Sequence, residues 1–449
     1  MNQNQKKRWL FIGLLAAGLL VGVILLIYRI RHRPLGFLTY DVIDTIFSLY
    51  TLFIGMAFEK LRSKYLTYRE KTLSDKLHER RYGNRWDRQS LMAQLKSNYP
   101  STPDLKRIDI HTNNQIIETA FYSMGSPHHI KYKNYDTEAS SRYQIHHNRY
   151  GLNYFKILRQ SGKEYKNELN FRLLEAAISG DELAITFGPT YFFDYLKSTG
   201  ALDVELYDAI TNHSPRKTPI RNMYMPTTAA MREARSRICL GGVNVVLAMK
   251  VKDKFNVILQ VRSGEVADSR GEIAVIPKGF HQPLMEEFPY QSMDFRNSIY
   301  RELAEECFGH DLKQNETYID AYEYFKNCKG VSEVIEGLET QDPNYSLHLT
   351  RFGFNSITGN YALNALLVIQ APHYYIENIQ NIRKNFETKS FIQCDVTDSS
   401  ILAHYLNDKR WNDDSIVAFC DALEVLRDRY KVPITPAIEV VSGQGGHEA

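Results

Sequence analysis

Residues 241–262 read GGVNVVLAMKVKDKFNVILQVR, and this stretch decides the fold class of the C-terminal half. Gly241–Val251 and Phe255–Arg262 are rich in β-branched and apolar residues and are parted only by Lys252-Asp253-Lys254, which predicts a hairpin. Ile273–Pro277 (IAVIP) reads as a third strand, closed by Lys278-Gly279. A helix is expected from Met293 or Asp294, because Phe295, Ile299, Leu303 and Cys307 recur at i, i+4, i+8 and i+12 and so share one face. Ser292 suits its N-cap and Gly309 its C-terminal stop. Further strands are expected at Tyr361–Gln370 and Ser390–Asp395, with closing helices around Ser399–Asn407 and Ser415–Tyr430.

Within the first of those helices lies Arg301-Glu302-Leu303-Ala304-Glu305-Glu306. Glu302, Glu305 and Glu306 stand at i, i+3 and i+4, so three carboxylates share one face, turned from the apolar stripe. Like charges this close repel unless a cation sits among them. A divalent metal with oxygen ligands is one answer, with Arg301 holding a carboxylate in place. A solvated acidic helix face is the other reading.

The order of elements around these residues resembles a Nudix domain over roughly residues 235–432. The Nudix box runs G-x5-E-x7-R-E-U-x-E-E-x-G-U, and Arg301 to Glu306 match its second half after a Pro-Lys-Gly-Phe turn similar to the family's Pro-Gly-Gly. The first half departs. The expected upstream glutamate falls on Met293, the expected glycine on Glu287, and the later glycine slot on Phe308, with Gly309 one position late. A long insertion, about 311–350, precedes the next clear strand. In Nudix hydrolases the matched glutamates hold Mg²⁺ against a diphosphate. Carried over, Glu302, Glu305 and Glu306 are the metal candidates, and Glu305 and Glu306 the catalytic ones if the chain hydrolyses. The broken box implies a remodelled, non-hydrolytic pocket.

The N-terminus carries a different signal. Trp9 to Tyr28 is an uncharged run long enough for one helix to cross a hydrocarbon core of about 30 Å, flanked by Lys6, Lys7, Arg8 and by Arg29, Arg31, Arg33. A second candidate span, Phe37 to Phe58, places Asp41, Asp44, Ser48, Thr51 and Gly55 on one narrow helical stripe, with apolar residues on its other faces. The basic flank that follows (Lys60, Arg62, Lys64, Arg69, Lys71, Lys76, Arg80, Arg81) favours retention of residues 60–449 in the cytoplasm whether one or two helices cross.

Between these ends the sequence reads as a helix-rich connecting domain over 60–210, a Pro-containing linker over 211–228, the Nudix-like domain over 229–432 and a tail over 433–449. The expected architecture is therefore N-terminal transmembrane helices, a helix-rich middle region and a C-terminal α/β/α Nudix-like sandwich. From His128 to Arg172 basic and aromatic residues interleave, a pattern shared by nucleotide surfaces and by ordinary helical domains with Tyr at their surface. The doublets His128-His129 and His146-His147 lack the Cys or carboxylate company of a metal site.

Composition narrows the classes. With 55 Lys and Arg against 52 Asp and Glu in 449 residues, the chain is no polyanion-coating protein, and duplex nucleic acid is not an expected partner. The five cysteines form no CxxC pair, which fits neither a disulfide scaffold nor a zinc ribbon.

Membrane helices joined to a divergent Nudix domain resemble the transmembrane–Nudix effectors of bacterial cyclic-oligonucleotide anti-phage signalling (CBASS). The resemblance implies a sensor of a cyclic oligonucleotide that self-associates and disrupts the bacterial inner membrane. It requires no cofactor, with Mg²⁺ the ion the glutamates would take. A polyanion with stackable bases wants cations and rings, and around the expected mouth lie Arg262, Arg270, Lys278, Phe280, His281 and Tyr290. Two alternatives are a membrane-tethered Mg²⁺-dependent Nudix hydrolase of a nucleoside diphosphate derivative, and a membrane-anchored scaffold.

Overall fold

The computed structural model describes residues 88–442 except 114, 144–147, 161–164, 212–217, 264–270, 285–288, 311–324, 326, 380–381 and 383–387, together with 28, 31, 56, 59, 60 and 63. The chain divides into two compact units, Met1–Leu73 and Ser74–Ala449. The six described residues of the first unit are helical and exposed.

The second unit is built on a mixed ten-stranded sheet. Its path runs β12 (Thr388–Asp395), β7 (Lys254–Arg262), β6 (Gly241–Val251), β11 (Tyr361–Ile369), β10 (Tyr345–Asn355), β2 (Ile116–Gly125), β1 (Lys106–Thr112), β13 (Ile438–Ser442). The short strands β8 (Ile273–Val275) and β9 (Lys278–Phe280) pair with β7 and β6. β6 and β11 run parallel, and the other pairs are antiparallel. A separate sheet orders β3 (His129–Tyr135), β5 (Glu182–Tyr191) and β4 (Leu169–Ser179). The longer described helices are α1 (Arg88–Asn98), α2 (Arg149–Gln160), α3 (Leu202–Thr211), α4 (Phe295–Glu302), α5 (Val331–Glu339), α6 (Ser399–Leu406) and α7 (Asp413–Tyr430).

The apolar runs of β6 and β11 follow from burial on both faces of the sheet. Val243, Val245, Leu247 and Met249 of β6 enter one core with Leu363, Ala365 and Leu367 of β11, beneath α4 and α5. Val246 and Ala248 enter a second core with Leu366 and Val368, beneath α6 and α7. Each Val or Leu fully buried this way stabilises the fold by about 1.5–3 kcal/mol.

Two sequence expectations are corrected. The region 60–210 is not helix-rich: within it β1 to β5 span much of 106–191. The alternation Ile108, Asp109, Ile110 in β1 carries period two, and both isoleucines are fully buried in the second core. β1, β2 and the tail strand β13 extend the same sheet, and helix Pro219–Tyr224 occupies the predicted linker. The expected transmembrane architecture is likewise overturned: among the described residues no helix is long and apolar enough to cross a membrane. The runs 9–28 and 37–58, with the stripe Asp41, Asp44, Ser48, Thr51 and Gly55, lie outside the described residues except for Tyr28 and Met56.

Three arginines read as surface cations or passed over become internal ties. Arg221, 1% exposed, donates to the carbonyls of Leu202, Ser356 and Ile357 and to the Tyr99 hydroxyl. Arg237 donates to the carbonyls of Ala230, Met231, Glu233 and Gly359. Arg172 donates to those of Tyr143, Arg235 and Arg237, and its burial lowers its pKa to about 10. Each guanidinium satisfies several loop carbonyls that would otherwise be buried unpaired, at about 1–3 kcal/mol apiece.

Candidate functional site

Strand β9 and helix α4 bring the acidic cluster together. Asp294 caps α4 by accepting from the Arg296 N–H at 2.9 Å, two residues later than the expected Ser292. Phe295, Ile299, Leu303 and Cys307 are all buried, as their spacing predicts. After Glu302 the helix widens into a π-turn, Leu303–Cys307, of the kind that often marks functional positions. Gly309 ends it with φ at 69°.

The three glutamates have separate surroundings. Glu302, 6% exposed, pairs with Arg301 and lies on Gly279, where a Cβ would fall inside its carboxylate. That close approach is why glycine follows Lys278. Arg301 also donates to the Phe280 carbonyl at 2.6 Å and to Gln282 Oε1 at 2.9 Å. Burial works against its charge, but Glu302 and Glu305 outweigh burial and hold its pKa above the ordinary value.

Glu306 is 1% exposed. Its Oε2 accepts from the Lys278 N–H at 2.7 Å, its Oε1 from Gln260 Nε2 at 3.0 Å, and the Arg262 guanidinium lies 3.6 Å from Oε1. Gln260 in turn accepts from the Thr388 hydroxyl at 2.8 Å. Strands β7, β9 and β12 thus converge on one carboxylate. Glu305 is half-buried. Among the described residues no group of three His, Cys, Asp or Glu stands where it could hold a metal ion. The oxygens of Glu302 and Glu306 already answer to arginine and N–H donors, so this donor set does not fit Mg²⁺. The cations among the carboxylates are Arg301 and Arg262.

The expected ligand residues are dispersed. Arg262 is buried against Glu306. Lys278 reaches away from the cluster to Asn412 Oδ1 at 2.8 Å and Ser415 Oγ at 3.4 Å, at the start of α7. Phe280 packs against Phe192 and Tyr195. His281 is fully buried, stacked on Phe295 with centroids 4.3 Å apart, and bonded to Ser298 Oγ and the Met293 carbonyl. Burial, with Arg301 nearby, lowers its pKa to about 3, so it is a neutral core residue. Tyr290 is exposed, and Arg270 lies outside the described residues.

Sequence reasoning missed Gln260 and Thr388. The available signal was Gln260 itself, a polar residue inside the apolar run of β7, since buried amides require partners. The interleaved region does reach this site, through its core face: the Tyr132 hydroxyl accepts from the Phe295 N–H at 2.8 Å, and Phe171 packs on His281 at 4.4 Å. A scan of the sequence against protein-family models returns no match, and neither does a search of curated proteins.

Proposed function

We propose that the chain is an effector of cyclic-oligonucleotide signalling at the bacterial inner membrane, whose second unit binds the nucleotide without cleaving it. Binding promotes self-association of the chain, and the assembled chains disrupt the bilayer. The observation that carries the non-hydrolytic part is Glu306. A carboxylate engaged by Lys278 N–H, Gln260 and Arg262 is a structural acceptor. Using it to bind Mg²⁺ would cost those bonds and bring a dication toward a buried guanidinium.

The test is thermal stability of the full chain against cyclic di- and trinucleotides and linear nucleoside diphosphate derivatives with Mg²⁺, with product analysis of every hit. Stabilisation by a cyclic nucleotide recovered uncut is the expected result. Turnover of a linear diphosphate would make the chain a tethered hydrolase, and stabilisation by none of them would leave the scaffold.

A further inference from the structure

Helix α2 presents a row of cations outside every ion pair of the described residues. Its sequence, RYGLNYFKILRQ, holds no carboxylate. One side belongs to the core: Gly151, Tyr154 and Leu158 are buried, and the Phe155 ring lies 4.9 Å from that of Phe193, with Lys197 Nζ over it at 5.3 Å. Glycine at 151 lets this side close in, because a Cβ there would collide with the Lys197 carbonyl. The other side is exposed and carries Arg149, Leu152, Asn153, Lys156 and Arg159, at i, i+3, i+4, i+7 and i+10. From first cation to last the row is about 15 Å long.

Among the described residues Arg149, Lys156 and Arg159 have no ion pair or side-chain hydrogen bond. The carboxylates of the neighbouring segments are engaged by other groups: Asp194 by Lys197 at 3.7 Å, Glu168 by Lys166 at 3.8 Å, and Asp208 by the Tyr150 hydroxyl at 2.6 Å. The cations of α1 differ, since Arg88 is paired with Asp413 and Lys96 with Glu118. Lys156 and Arg159, one turn apart, repel each other, an arrangement that an anionic partner relieves.

What else lies on the face selects that partner. A single-stranded nucleic acid needs rings to stack on, but Tyr154 and Phe155 are packed on the core side, and the apolar residue among the cations is Leu152, 44% exposed. An aliphatic side chain between basic groups suits a bilayer surface, where cations meet headgroup phosphates and the apolar group enters the acyl boundary. We propose that this face of α2 rests on anionic phospholipid headgroups, with Arg149, Lys156 and Arg159 on the phosphates and Leu152 between them. The proposal rests on the membrane part of the proposed function and gives the second unit its own contact with the bilayer. Each cation near an anionic leaflet strengthens adsorption about fivefold, the equivalent of ~1 kcal/mol. Three such cations orient the unit on the surface and do not anchor it.

All five cysteines are buried, so a dye attached through Asn153→Cys reports on this face alone. The full chain carrying an environment-sensitive nitrobenzoxadiazole there is reconstituted into nanodiscs of phosphatidylcholine, with or without phosphatidylglycerol. Emission should shift to the blue only with phosphatidylglycerol, and return at a salt concentration on the order of 1 M, where charges are screened within about 3 Å. Lys156→Gln should lower the ratio of docked to undocked dye about fivefold, and Lys156→Gln with Arg159→Gln roughly twenty-five-fold. Circular dichroism should give both the melting temperature of the parent, since these side chains are exposed and hold no partner. A shift of equal size in both lipids, or one the double variant leaves unmoved, would overturn the proposal. So would a shift in lipid-free detergent that grows with protein concentration, which marks a contact between copies, or one produced by single-stranded DNA and not by phosphatidylglycerol. No shift in a chain that does enter the nanodiscs would remove this surface and keep the membrane reading. A chain that enters neither nanodisc would sink both.

Discussion

His281 shows how strongly a buried environment sets the behaviour of one residue. Its folded pKa of about 3 lies below the ordinary 6.5. The folded state therefore binds fewer protons than the unfolded chain at mildly acid pH. The associated stability is complete above pH 6.5 and drains away as the pH falls from there toward 3. From pH 7 to pH 5.5 this one group should cost about 1 kcal/mol in urea denaturation. His348, lowered chiefly by burial, adds in the same direction. His281→Gln should remove its share of the slope, and an unchanged slope would mean the imidazole titrates alike in the folded and unfolded chain. Glu306 makes the opposite kind of test. Removing one carboxylate from an unfilled metal site relieves repulsion and stabilises. Here Glu306→Gln leaves the Arg262 guanidinium without this counter-charge, and should destabilise by about 1–3 kcal/mol in the same assay.

Among the described helices, α7 packs across the most strands, β1 among them. It also lies across β2, β6, β8, β10, β11 and β13. Its N-terminus is fixed by Asn412, whose side chain accepts from the Ser415 N–H and from Lys278 Nζ and donates to Glu272. One residue thus joins the helix to the turn that also positions Glu306. Asn412→Ala should lower stability by about 1–2 kcal/mol, the upper range of an N-cap loss. Lys278→Met, which removes the bonds to Asn412 and Ser415 and keeps the Asn412 cap, should cost less when the two are compared by thermal melting.

At the scale of the whole second unit, the sheet makes residues 106–125 and 438–442 inseparable from the strands between 241 and 395. β1 pairs with β13 through five residue pairs, Ile108↔Ser442 to Thr112↔Ile438. Arg221 ties α3 and Tyr99 to the β10–β11 turn. A fragment of residues 74–449 should therefore melt in a single cooperative transition. A fragment of residues 229–432, the domain suggested by the Nudix resemblance, should show no cooperative melt by calorimetry, because β10 loses β2 and the interior loses Arg172 and Arg221. A sharp transition in the shorter fragment would return the boundary to 229.

What the sequence determined was local and periodic. The β6–β7 hairpin, the apolar face Phe295-Ile299-Leu303-Cys307, the stop at Gly309 and the closing helices α6 and α7 all follow from side chains that meet within a turn or alternate along a strand. It also put three glutamates on one helical face. Which cation answers them was a tertiary decision: Arg262 arrives from β7 and Gln260 beside it, more than forty residues away in sequence. β10 went unread, its first half inside an assumed insertion, because Ser346, His348 and Arg351 break its apolar pattern with groups that face α7. The middle region read as helical because its charges mask a period of two. Only the sheet, by burying Ile108 and Ile110 against α7 and leaving their polar neighbours to other partners, shows which alternation mattered. Partners distant in the chain decide burial, and burial decides whether a charged residue is a surface cation, an internal tie or part of a site.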